Sequence, residues 1–186
     1  MKNASLCAVV LAVVLSLPVA AKEIAGVNYP DTATAGGKEL KLNGVGLRKK
    51  AIFKVYTVGL YLETPSTDAQ QILASEQIKR VRMSMKRDLK KEQIVEAISQ
   101  GFKKNAGDKL PTLQARLDTF NEAIPAELKE GSELTLTYTP GKGTTVQSSG
   151  REISVQGKDF ADALFSVWLG KEPVDDGLKN GMLGKE

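Results

Sequence analysis

The sequence predicts an α+β domain: an antiparallel sheet with helices packed on one face. Alternating stretches such as Val81, Met83 and Met85 against Arg80, Arg82, Ser84 and Lys86 mark strands with two unlike faces. Stretches such as Ile94, Ile98 and Phe102 repeat apolar residues every four positions and mark helices with one buried stripe. The strand-like and helix-like stretches are grouped rather than strictly alternating, with no internal repeat, and this grouping separates α+β from a parallel α/β fold.

The elements follow in order. Residues 1–21 read as a signal peptide: Lys2 is the basic start, Leu6 to Leu17 a short apolar run, and Val19-Ala20-Ala21 a small-residue cleavage site. Cys7 lies at the start of the apolar run, after Leu6, instead of at its end, which argues against a lipoprotein. The domain then spans 22–186 and is expected in the periplasm or secreted, with no integral membrane segment once the signal is removed. Ile24 to Tyr29, followed by Pro30-Asp31 and Gly36-Gly37, reads as an edge strand and a turn. Glu39 to Leu42 begins a strand that feeds the central element, residues 52–62. Thr67 or Asp68 caps a short helix, Ala69 to Ala74. Ile78 to Lys86 is a strand, and Asp88 is expected to cap the helix carrying Ile94, Ile98 and Phe102, which Gly107 stops. Pro111-Thr112 opens a helix ended by Pro125. Glu133 to Thr139 and Thr144 to Ser149 form a hairpin about Pro140-Gly141-Lys142-Gly143, and Arg151 to Val155 adds a strand. Asp159 starts a strongly apolar helix with Phe160, Leu164 and Trp168 in register, ended by Gly170; a short helix closes the chain between Pro173 and Leu183.

Composition narrows the chemistry. The chain has one cysteine, Cys7, and no histidine. After signal removal no disulfide, thiol catalysis or His-dependent nucleophile remains, and a zinc site lacks its usual ligands. No cofactor is implied. The formal net charge of +4 falls by one when Lys2 is lost. Aromatic residues are 5% of the chain and no recognition motif accompanies the mild basicity, so no nucleic-acid partner is expected.

The stretch Leu42 to Leu62, LNGVGLRKKAIFKVYTVGLYL, is the centre of the chain. Branched and aromatic residues favour a strand there, and alternation places Phe53, Val55, Thr57 and Tyr61 on one face and Lys54, Tyr56, Val58 and Leu60 on the other. Neither face is fully polar, so the strand is expected to be covered on both sides. The run GLRKKAIFKVYTVGLYL, the strand-and-helix pattern from Arg80 to Phe102, and the C-terminal run DFADALFSVWLGKEPVDDGLKNGMLG resemble the chalcone isomerase-like family, in particular its bacterial secreted branch. Together they cover most of the domain. The resemblance implies an open-faced β-sandwich, and a ligand-binding arginine and tyrosine at Arg48 and Tyr56. In the fatty-acid-binding relatives that arginine meets a carboxylate and pairs with a tyrosine on the next strand; the isomerases have a threonine there. The family's enzymes add a lysine, a tyrosine and an asparagine, positions that fall here on Ser84, Gln93 and Gln100. No tyrosine lies between Tyr61 and Tyr138, so a small shift of alignment does not restore the phenol.

Three functional readings follow. The first is a non-catalytic protein binding a small apolar or anionic ligand, such as a fatty acid, with Arg48 on the carboxylate and Tyr56 assisting. The second is a chalcone–flavanone-type isomerase, and the third a structural or partner-binding module with a filled cleft. Oligomeric state is not legible. Against the first reading, Arg48 is equally readable as a surface cation beside Lys49 and Lys50. An unbroken strand would also separate Arg48 from Tyr56 by roughly 26 Å, so the two meet only if the chain folds back near Lys49-Lys50. The basic run Lys79, Arg80, Arg82, Lys86, Arg87, Lys90 and Lys91 reads as a solvated sheet edge or as an attractor for anions. Met83, Met85, Phe160, Phe165 and Trp168 suit either a lipid pocket or an ordinary core. Gly141-Lys142-Gly143-Thr144 lacks the spacing of a phosphate loop and joins two strands, so it is a turn.

Overall fold

A computed structural model describes residues 21–185. The expected signal segment lies outside the described residues except for Ala21. The main sheet has seven antiparallel strands in the order β11-β10-β9-β6-β5-β4-β3: β3 Thr32–Ala35, β4 Lys38–Lys50, β5 Phe53–Leu62, β6 Lys79–Met85, β9 Glu133–Thr139, β10 Gly143–Ser148 and β11 Arg151–Val155. Helices α1 (Ala69–Ala74), α2 (Lys91–Ala106), α3 (Leu110–Ala123), α4 (Lys158–Leu169) and α5 (Asp176–Met182) complete the α+β domain. The main core, including Val81, Met83, Phe102, Phe120, Leu136, Phe160 and Trp168, lies between the sheet and the helices.

Ile24 to Tyr29, expected to be one edge strand, is instead most of a hairpin, β1 Ala21–Ile24 and β2 Val27–Pro30, turning at Ala25-Gly26 with both residues at positive φ. This ribbon covers a second, smaller core of Tyr29, Ala35, Leu40, Val45, Tyr61 and Ile78 on the sheet's other face. Tyr29 Oη and Thr57 Oγ1 lie 2.7 Å apart in a hydrogen bond beneath it. The central strand β5 is therefore covered on both faces, as its apolar composition requires.

The basic run is not a sheet edge. β6 is an interior strand, flanked by β5 and β9. Lys79 is fully buried on its helix-facing side. Arg80 donates to the Thr34 carbonyl on the edge strand β3 and Arg82 to the Asn28 carbonyl of the ribbon, so both cations are engaged with backbone of other strands. Asp88 does not cap α2 either. It accepts from the Glu130 amide and pairs with Lys129, while the Gln93 side chain accepts from the Lys90 amide at the helix start. The short strands β7 (Leu89–Lys90) and β8 (Glu127–Leu128) pair across this junction, a long-range contact that outweighs the local capping signal.

Candidate functional site

The stretch from Leu42 to Leu62 is two strands joined by a two-residue turn at Ala51-Ile52, with Lys50 opposite Phe53. Ala51 makes the turn at φ 52°. The chain does fold back beside Lys50, and the roughly 26 Å separation of an unbroken strand is replaced by direct register: Arg48 pairs with Tyr56. Residues directly opposite across a ladder present their side chains on one face.

The register shifts between Arg48/Tyr56 and Lys49/Lys54, leaving Val55 as the extra residue of a bulge. The bulge breaks the expected alternation. Phe53 and Val55, placed by strict alternation on the face away from Tyr56, line the same cleft as Tyr56. Thr57 and Tyr61, beyond the bulge, do face the outer ribbon as expected.

That cleft has a volume of about 500 Å³ and lies between the β4–β5–β6 end of the sheet and α2. Val55, Met83 and Met85 line it from the sheet; Ile94 and Ile98 line it from α2, and Val167 and Trp168 from α4. Of the five residues that suited either pocket or core, Met83, Met85 and Trp168 border the cleft, while Phe160 and Phe165 are core. A second depression, about 670 Å³ between α1 and α5, is bordered mainly by polar residues such as Asp68, Gln70, Asp176 and Lys179, and it holds neither Arg48 nor Tyr56.

Two polar groups meet at the β4–β5 wall. Trp168 Nε1 donates to Tyr56 Oη at 3.2 Å. An indole nitrogen only donates, so the Tyr56 hydroxyl keeps its own proton for another acceptor. Burial pushes the Tyr56 phenol up to about 12 and nearby Asp175 adds to this, while the Trp168 bond and Arg48 pull back. At neutral pH it is a donor and not a base. Arg48 Nη1 donates to the Lys49 carbonyl and to Asp175 Oδ2, the latter at 2.9 Å. Its Nε and Nη2 have no partner among the described residues, and this edge of the guanidinium is the fork that fits a carboxylate. Arg48 is neither a free surface cation nor fully committed. It is half-buried and holds Asp175, which in turn accepts from the Leu178 amide and caps α5.

The pattern Gly44-x-Gly46-x-Arg48 produces this arrangement. A Cβ at Gly46 would sit 2.6 Å from the Leu178 carbonyl oxygen, and one at Gly44 would collide with the Gly181 carbonyl. The two glycines let α5 lie directly on β4, and Arg48, next on the same face, meets the start of that helix. Asp175 was not anticipated from sequence; its place beside Pro173 and ahead of a short helix signals a cap, but not the partner 127 residues away.

The isomerase positions divide. Gln93 and Gln100 border the cleft, each already engaged along α2, with the Lys90 amide and with Glu96 respectively. Ser84 faces the other way: its carbonyl accepts from Thr57 on the ribbon side. The cleft-facing positions of β6 are Met83 and Met85, neither of which carries a charge.

A family model described as chalcone isomerase-like matches residues 21–184. No curated protein matches the chain at a significant level. Among solved structures, a fatty-acid binding protein of Arabidopsis thaliana superposes with a TM-score of 0.66 at 20% identity, over 89% of this chain and 97% of its own. At that identity the likeness establishes a shared fold.

Proposed function

The chain belongs to the chalcone isomerase-like family, and from that premise we propose that it is a non-catalytic carrier or receptor for a small apolar carboxylate of the fatty-acid type. One observation carries the reading: Arg48 and Tyr56 stand side by side at the wall of a cleft that Met83, Met85, Ile94 and Ile98 also line, each with donor capacity left over. A carboxylate takes the Nε/Nη2 edge of Arg48 and the Tyr56 hydroxyl, while its chain lies against Met83, Met85, Ile94 and Ile98. The name of the Arabidopsis protein supports the ligand class. Of the positions that serve the family's enzymes, Ser84 faces away from the cleft and Gln93 and Gln100 stand where the resemblance puts a tyrosine and an asparagine, so the reading is of binding and not turnover. Residues 1–21 are proposed to direct export to the periplasm and to be removed; intact mass of the exported protein should begin at Lys22.

Titration with a fluorescent fatty acid tests the assignment. Hydrogen bonds to a charged group contribute about 1.5–3 kcal/mol, so Arg48→Ala should weaken binding about 10- to 150-fold, with Tyr56→Phe weaker than wild type by less. Equal affinity in all three proteins would show that the anchor is elsewhere. A chalcone consumed faster than in buffer would replace the proposal with an isomerase.

A further inference from the structure

Among the described residues the exposed large hydrophobics are Ile52, 86% exposed, and Phe53, 56% exposed. They are consecutive, at the tip of the β4–β5 hairpin. Pairing of β5 with β6 ends at Tyr56 and Met85, so the hairpin from Lys49 to Lys54 runs on beyond the ladder that holds the rest of the sheet. Lys49, Lys50, Lys54 and Arg87 are exposed around it, and the Arg87 guanidinium lies 5.3 Å from the Phe53 ring centroid. No carboxylate occurs between Arg48 and Leu62. The nearby acids include Asp88, which follows Arg87 and is paired with Lys129, Asp175, held by Arg48, and Glu96 and Glu172, which border the cleft from α2 and from the segment after α4.

We propose that this hairpin tip is a docking prong for an anionic phospholipid surface, with Ile52 and Phe53 entering the headgroup–acyl boundary and the four cations resting on the lipid phosphates. An apolar tip above a basic collar is the arrangement that interfacial binding rewards: buried apolar area adds to attraction by a negative leaflet. A second copy of the chain docking through the same patch would set these cations against each other. Lys50, Phe53 and Arg87 also border the cleft, so its mouth opens at the prong and an apolar guest would pass between bilayer and cleft with little exposure to water. The docking itself does not depend on what the cleft holds.

Flotation of the full domain with phosphatidylcholine vesicles, and with vesicles of equal parts phosphatidylcholine and phosphatidylglycerol, tests this. Binding is expected to the second and not the first, and to fall as salt rises. Ile52→Ser should lower vesicle affinity about ten-fold. Lys49→Gln with Lys54→Gln should lower it about 25-fold, at about five-fold per cation near an anionic surface. None of these three side chains borders the cleft, so fatty-acid affinity in solution should be unchanged. Ala97→Trp, which fills the cleft from α2, should do the reverse. Equal binding to both vesicle types, or anionic-vesicle binding indifferent to Ile52 and the two lysines, would overturn the proposal. Absent vesicle binding would overturn it too; retention on immobilised polyglutamate would then point to an acidic protein, and self-association abolished by Ile52→Ser to a second copy.

Discussion

A lysine with no exposed surface must find acceptors for its three N–H bonds or give up its proton. Lys79 Nζ donates to the carbonyls of Ile72, Leu73 and Ser75 at 3.2, 3.1 and 2.9 Å. These are carbonyls at the C-terminal end of α1, which have no partner within the helix and favour a cation. Asp162 Oδ1 lies 3.8 Å away, and the Tyr138 ring centroid 5.0 Å. Burial pulls Lys79 down to about 8, opposed first by Asp162. It therefore remains charged at neutral pH, as a clamp joining α1 to the sheet. Lys79→Met keeps the bulk but takes the donor from the Ser75 carbonyl, leaves the Ile72 and Leu73 carbonyls with only Ser75 Oγ and Lys158 Nζ, and deprives Asp162 of one of its cations. It should destabilise the domain by about 3 kcal/mol, read as a lower urea midpoint at unchanged slope. A loss under about 0.5 kcal/mol, the usual range for surface substitutions, would mean that Lys79 does not act as a clamp between α1 and the sheet.

At the level of elements, what the sequence made legible follows from local patterning. Period-two and period-four repeats located β5, β6, β9, α2, α3 and α4, and Asp68 caps α1 through the Gln70 and Gln71 amides as its position implied. The misses are of another kind. The Ala51-Ile52 turn contains no glycine, proline, asparagine or aspartate, so nothing local announced it; cross-strand pairing holds Ala51 in a left-handed conformation. The Val55 bulge and the Arg48–Asp175 bond likewise depend on partners far along the chain. The apposition of β4 and α5 can be tested directly. Gly46→Ala places a methyl against the backbone of Leu178, which cannot yield as a side-chain end would. Overpacking of this sort costs about 2 kcal/mol, or about 4–8 °C in Tm for a chain of this size. Because displacing α5 also moves Asp175 from Arg48, the fluorescence of Trp168, the single tryptophan, should change in the folded state. An unaltered Tm would show that α5 does not rest on β4 through these glycines.

Over the whole molecule, the four tyrosines share one electrostatic situation although they sit in different layers. Tyr29 under the ribbon, Tyr56 at the cleft and Tyr138 near α1 are each pushed up to about 12, and Tyr61 is also raised. Burial is the largest cause in every case, because a phenolate loses its hydration between sheet and helices or between sheet and ribbon. In the unfolded chain the same groups ionise near 10.0. Between about pH 10 and 12 the unfolded chain therefore binds fewer protons than the folded one, and stability must fall as pH rises through that window. Lys79 acts in the opposite sense over an earlier range. Folded at about 8 against 10.5 when free, it loses its proton first in the native state, so its contribution rises with pH up to about 10.5. The expected profile of urea midpoint against pH climbs gently above 8, turns over near 10 and drops towards 12, with Lys79→Met removing the climb and keeping the drop. Phenolate absorbance should stay low until unfolding begins and then appear for all four tyrosines together. A phenol ionising independently near 10 would identify a tyrosine in contact with water, and Tyr56→Phe would show whether it is the one at the cleft.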